Sequence, residues 1–178
     1  MAGIFHWLLL LALLHVLLRD WRKALPISLL AWIPWGPHFV GIMRGALGEL
    51  SVGTILLSVL LLQPKPLKEI PGLGPAAGLV VCGGVLVYGD FLALLPTVSL
   101  QLYEAGFSSR WLPVGIAILG SWAIIRAWWW PAVWAGLVLL VWNLEWFASR
   151  NIWDHLFDVP LWILSAIYLC RRACSKRS

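Results

Sequence analysis

Apolar residues in this chain fall into long blocks, separated by short stretches that concentrate proline and charge. The blocks cover residues 3–18, 24–43, 50–63, 73–95, 111–125, 131–147 and 160–170. Most approach the roughly 20 apolar residues that a helix needs to cross a bilayer. The pattern predicts an all-α polytopic bundle of about seven transmembrane helices. The block at 24–43 is interrupted where Pro34 and Pro37 bracket Trp35-Gly36, each removing a backbone donor and disfavouring helix just before it. Two readings stand there: a plain proline kink, or a broken span whose loosened backbone serves a binding site. Gly83-Gly84, mid-way along the fourth block, should let a neighbouring helix approach closely. Trp128, Trp129 and Trp130 suit an interfacial belt, and Pro131 sits where a first helical turn tolerates it.

One stretch departs most from this pattern, residues 143–162, reading NLEWFASRNIWDHLFDVPLW. Asn151, Asp154, His155 and Asp158 fall at i, i+3, i+4 and i+7, with Ile152, Trp153, Leu156 and Phe157 opposite. That spacing predicts a short amphipathic helix at a membrane surface, polar side to water. Asn151 followed by Asp154 resembles a capping box with a shortened acid. The last block is short for a span, so it is expected to borrow the helix before it.

Composition supports this picture. A hydrophobic fraction of 61%, 14 tryptophans and 12% charged residues exclude an ordinary soluble domain, which averages about 25% charged. Residues 1–178 therefore read as a single transmembrane helical domain with no soluble domain. The net charge of +5 reflects orientation and not a nucleic-acid surface, so no nucleic-acid partner is expected. Threading the blocks puts Arg19, Arg22, Lys23, Lys65, Lys68, Arg126, Arg171, Arg172, Lys176 and Arg177 on one side, ten of the thirteen Lys and Arg. That side is then cytoplasmic, with the N-terminus out and the C-terminus in, in a bacterial cytoplasmic (inner) membrane. The positive residues follow the first block and do not precede it, which argues for a retained span over a cleaved signal.

The same threading gathers titratable groups at the outer face: His38, Arg44, Asp90, Glu104, Arg110, Glu145, Arg150, Asp154, His155 and Asp158. Asp90 lies 17 residues past Leu73, about 25 Å along a helix, near the outer boundary. Four readings of this group are open. Arg44, Arg110 and Arg150 each have an acid nearby in sequence (Glu49, Glu104, Glu145) and could form structural ion pairs. Three arginines could hold a lipid headgroup or substrate phosphate, with carboxylates as acid or base. His and carboxylate could ligate a metal, or the groups could be solvated independently. No HExxH, HxxxH or cysteine pair occurs, so no metal or other cofactor is expected. Haem is disfavoured because His15 lies about 13 Å from His6 along one helix and no CxxCH occurs. Cys170 and Cys174 beside arginines read as free cytoplasmic thiols, with acylation the alternative. No nucleotide-binding loop or nucleophile elbow is present. These features point to an accessory or assembly component of a membrane system, its working polar face extracytoplasmic. The partners implied are the lipid bilayer, other membrane proteins and a lipid headgroup. The alternative is a membrane-embedded enzyme using the outer cluster on a lipid or lipid-linked substrate.

Overall fold

In a computed structural model of the chain, the described residues are 2–30, 42–43, 46–63, 66–91 and 102–175. Among them there are nine α-helices, one 3-10 turn at Leu67–Glu69 and no strand. We number the helices α1 (Ala2–Leu18), α2 (Trp21–Leu30), α3 (Val52–Leu61), α4 (Leu73–Phe91) and α5 (Leu102–Ser108). They continue with α6 (Trp111–Ile125), α7 (Trp129–Asn143), α8 (Ile152–Leu156) and α9 (Val159–Cys174). The all-α expectation holds. No single described helix is long and apolar enough to cross a membrane; α5 and α6 pass that test only together, across a 92° bend.

Helix ends follow local chemistry. α1 stops where Arg19 turns left-handed (φ 52°), and the Asp20 carboxylate accepts the Arg22 N–H at 2.9 Å to start α2. α3 starts at Ser51, whose hydroxyl accepts the Thr54 N–H at 3.2 Å. α8 starts at Asn151, whose amide oxygen accepts the Trp153 N–H at 3.0 Å. The expected helix across Asn151 and Asp158 is shorter than the spacing suggested, because Phe157 and Asp158 are extended. Continuing it would drive the Pro160 ring into the Leu156 carbonyl and leave that carbonyl without a donor. Asp158 instead caps α9, which runs to Cys174 without borrowing α8. This corrects the expectation for the last block.

The ten residues of α3 sit at the centre, packed against α1, α7, α8 and α9. Val52, Val80, Val138, Ile152, Phe157 and Leu161 form the heart of the apolar core around it. Gly83 and Gly84 do admit a neighbour. A Cβ at Gly83 would lie 2.8 Å from the Phe157 ring, and one at Gly84 would lie 2.6 Å from Trp162. The Trp162 indole then reaches across to donate to the Val81 carbonyl at 3.1 Å, locking α9 onto α4. α6 and α7 form a hairpin whose turn is clasped by Arg126, stacked over Trp122 and Trp128 at 5.9 and 5.6 Å.

Candidate functional site: a capped polar cluster at one end of the bundle

The starts of α1, α3, α8 and α9 meet at one end of the bundle, and the buried polar side chains collect there. Asp158, 7% exposed, is the hub. Its carboxylate accepts the Ser51 N–H at 2.6 Å, the Leu161 N–H at 2.7 Å and the Thr54 hydroxyl. One carboxylate therefore closes the N-termini of two helices, α3 and α9. Both macrodipoles point their positive ends at it, and its charge is met by oriented N–H groups. Ser58 continues the polar line down α3 by donating to the Thr54 carbonyl at 2.8 Å.

A second group surrounds the short α8. Asn151 is completely buried; its amide nitrogen donates to the Tyr103 carbonyl at 3.0 Å while its oxygen caps α8. Asp154 accepts the Ser149 hydroxyl at 2.6 Å and, more weakly, the Tyr103 hydroxyl at 3.3 Å. Ser149 in turn accepts the Asn151 N–H at 3.1 Å, so it supplies the return bond expected of Asp154 in a capping box. The Trp153 indole donates to the Leu102 carbonyl at 2.6 Å. Burial, then the Asp154 charge, hold the Tyr103 phenol above its ordinary value of 10.0, so it stays a donor at physiological pH.

His155 is 1% exposed and stacks on Phe147 at 5.3 Å. Its Nε2 faces the Ser149 carbonyl at 3.1 Å, which fixes the proton on Nε2 and leaves the lone pair on Nδ1. Nδ1 is buried without a hydrogen-bond partner among the described residues. Burial pushes the imidazole below its ordinary 6.5, outweighing the Ser149 carbonyl and the Asp154 and Glu49 charges, which act upward. The unfolded chain is therefore protonated first as pH falls. His155 leaves stability intact above about pH 6.5 and lowers it from there down towards its folded value. The melting temperature should fall over that window, and His155→Gln should flatten the slope. An unchanged slope would show that His155 does not titrate this way.

Asn151, His155 and Asp158 are thus buried, which corrects the expectation of a polar face turned to water. Ile152, Leu156 and Phe157 on the opposite face are buried as well, so the segment is a plug between helices. Of the other outer residues, Glu104, Arg110, Glu145 and Arg150 are exposed and stay outside the cluster. Arg150 pairs with Glu145 at 3.4 Å, as their proximity suggested. With side chains 77% and 65% exposed, this pair adds little to stability. His38, Arg44 and the side chain of Asp90 lie outside the described residues. No group of three or more His, Cys, Asp or Glu placed for a metal ion occurs among the described residues. The described outer groups therefore split into buried His155 and Asp158, half-buried Asp154, and an exposed set.

Ser51, Thr54, Tyr103 and Ser149 lie outside the set of residues that hydropathy and spacing predict. Ser51 carried the best signal, a hydroxyl residue directly before an apolar run. Nothing local marked Tyr103, which enters from a distant helix. The chain matches no family model, no curated protein and no solved structure.

Proposed function

We propose that this protein is a multi-pass helical membrane protein, an accessory or assembly component whose capped polar end lies on the extracytoplasmic side. The observation that carries the reading is the apolar outer surface. Polar side chains are buried in hydrogen bonds, while α1, α2, α3, α4, α6, α7 and α9 all turn large apolar side chains outward. Trp111 and Ile125, both 81% exposed, mark the two ends of α6. Soluble monomers rarely leave apolar surface of that extent against water; a bilayer is the solvent that suits it. Helices of 15–19 residues such as α1, α4, α6, α7 and α9 would extend about 22–28 Å. A bilayer accommodates such a mismatch by thinning or by helix–helix association.

The accessory role is supported by how the polar groups are used: Asp158, Asn151 and Asp154 staple and cap helices. α6, held chiefly by α7, turns Trp111, Val114, Ile118, Trp122 and Ile125 outward at helical spacing, a face suited to another membrane helix. Purification in mild detergent should return a stoichiometric membrane-protein partner; recovery of the chain alone with turnover of a lipid substrate would overturn the role. Reporter fusions after Lys23, Lys68 and Ser178 should report cytoplasm, and fusions near Leu47 and Ser109 the opposite side. If Leu47 and Lys68 reported the same side, α3 would not cross and the threading would fail.

A further inference from the structure

Beside the capped cluster, a cavity of about 270 Å³ opens between α1, α3 and α7. Its depth is apolar, with Val52 and Ile55 of α3 opposite Leu137 and Val141 of α7. Its mouth is of another character. Glu49 stands there, exposed, among the rings of Phe5, Trp146 and Phe147. Oε2 of Glu49 accepts the Ala148 N–H at 2.9 Å, which fixes the carboxylate and leaves Oε1 for a second donor. Glu49 forms no salt bridge with a described Lys or Arg, and His6, which also lines the cavity, faces the Gly48 carbonyl through Nε2 at 2.8 Å. The aromatic wall is preorganised: Phe147 meets Phe5 edge-to-face at 6.4 Å and is backed by His155. Trp146, 65% exposed, leaves its ring open at the rim.

A fixed carboxylate framed by aromatic faces above an apolar slot has a definite complement, an ammonium group carried on a hydrocarbon tail. The carboxylate takes a charge-assisted hydrogen bond from the ammonium, and the rings attract its positive charge through their quadrupoles. An anionic headgroup meets the wrong charge. We propose that this cavity binds the ammonium headgroup of an aminolipid, with the start of an acyl chain between α3 and α7. The proposal rests on the bilayer reading above, which places this mouth at headgroup level. A small multi-pass protein with such a site would be selective for the lipids that surround it, which fits a component that works only in a particular membrane.

Native mass spectrometry of the full chain, purified in mild detergent, tests the site. The probes are phosphatidylethanolamine and phosphatidylglycerol with the same acyl chains, and glycerophosphoethanolamine as the headgroup without tails. Wild type should bind phosphatidylethanolamine about tenfold more tightly than phosphatidylglycerol, the scale of one charge-assisted contact. Glu49→Gln keeps an acceptor for the Ala148 N–H and should erase the preference. Trp146→Ala alters an exposed ring and should weaken phosphatidylethanolamine binding several-fold, so it reads the site independently of Glu49→Gln. Equal binding of the two lipids by wild type, or an intact preference in Glu49→Gln, would overturn the proposal. Glycerophosphoethanolamine binding as tightly as the lipid would overturn the role of the apolar depth. A chain that alkaline carbonate strips from membranes would sink the bilayer reading itself, whereas a membrane-retained chain without lipid preference sinks only the site.

Discussion

Asp158→Ala should melt this protein far more easily than any change on its outer surface. The carboxylate accepts two buried backbone N–H groups and the Thr54 hydroxyl, and it closes α3 and α9 together. Alanine would leave those donors buried and unmatched at two positive helix ends. Losing a cap costs about 1 kcal/mol, and stranding a buried donor costs about 1–3 kcal/mol. The total expected is about 3–5 kcal/mol, a large share of the roughly 5–15 kcal/mol typical of a folded domain. Asp158→Asn should fall between alanine and wild type. Its remaining oxygen can serve only one of the two backbone N–H groups, because Ser51 and Leu161 donate to different carboxylate oxygens. Arg150→Ala, which breaks the exposed pair with Glu145, should change stability by less than about 0.5 kcal/mol. Thermal melting in detergent ranks the three; an Asp158→Ala protein melting like Arg150→Ala would mean the double cap contributes little.

The second large effect is expected at Gly106. α5 lies so close to the start of α8 that a Cβ on Gly106 would meet the amide head of Asn151 and, at 2.5 Å, the Trp153 ring. Asn151 cannot yield freely, because its amide is held both by the Tyr103 carbonyl and by the Trp153 N–H. Alanine gains about 1 kcal/mol of helix propensity over glycine, yet overpacking of about 1–3 kcal/mol and the loss of Asn151 bonds oppose it. Gly106→Ala should therefore be net destabilising. Asn151→Ala alone should cost about 1–2 kcal/mol through the lost α8 cap and the lost bond to the Tyr103 carbonyl. In the double variant much of the obstruction is gone, so the two losses should sum to less than their total. Strict additivity in that cycle would show that the two residues do not press on each other.

How much of this was legible in the sequence depends on whether the signal was local. α6 appears as the block 111–125 with the bounds read from hydropathy, because Arg110 and Arg126 close it on both sides. Gly83-Gly84 carried its meaning in composition alone, and the structure fills the space with Phe157 and Trp162. The stretch 151–158 follows its pattern only as far as Leu156. Its helical spacing is real, yet periodicity describes one helix and cannot see that Asp158 belongs to the next. Helical spacing of polar residues predicts a face turned to water, whereas Asn151, His155 and Asp158 are buried. The partners of Asn151 and Asp158, namely Tyr103, Ser51 and Thr54, lie 48 to 107 residues away in the chain. No local pattern encodes such pairings; they arise from which helix starts are brought together. Arg110 and Glu104 show the converse limit, since opposite charges near in sequence remain apart on the exposed surface of the described structure.

The central claim, that these helices meet lipid with the capped end outside, can be read from the native thiols. Cys82 lies mid-way along α4, and Cys170 and Cys174 lie in the last turns of α9; all three are free and exposed. In water, all three would react with a charged, membrane-impermeant maleimide. In a bilayer, Cys82 should face hydrocarbon and stay unlabelled from either side. Cys170 and Cys174 should label in inverted membrane vesicles and be protected in intact spheroplasts. That pattern, resolved by mass spectrometry of the three peptides, is the result predicted. Labelling of Cys82 in intact membranes, or of Cys170 and Cys174 from outside, would contradict it.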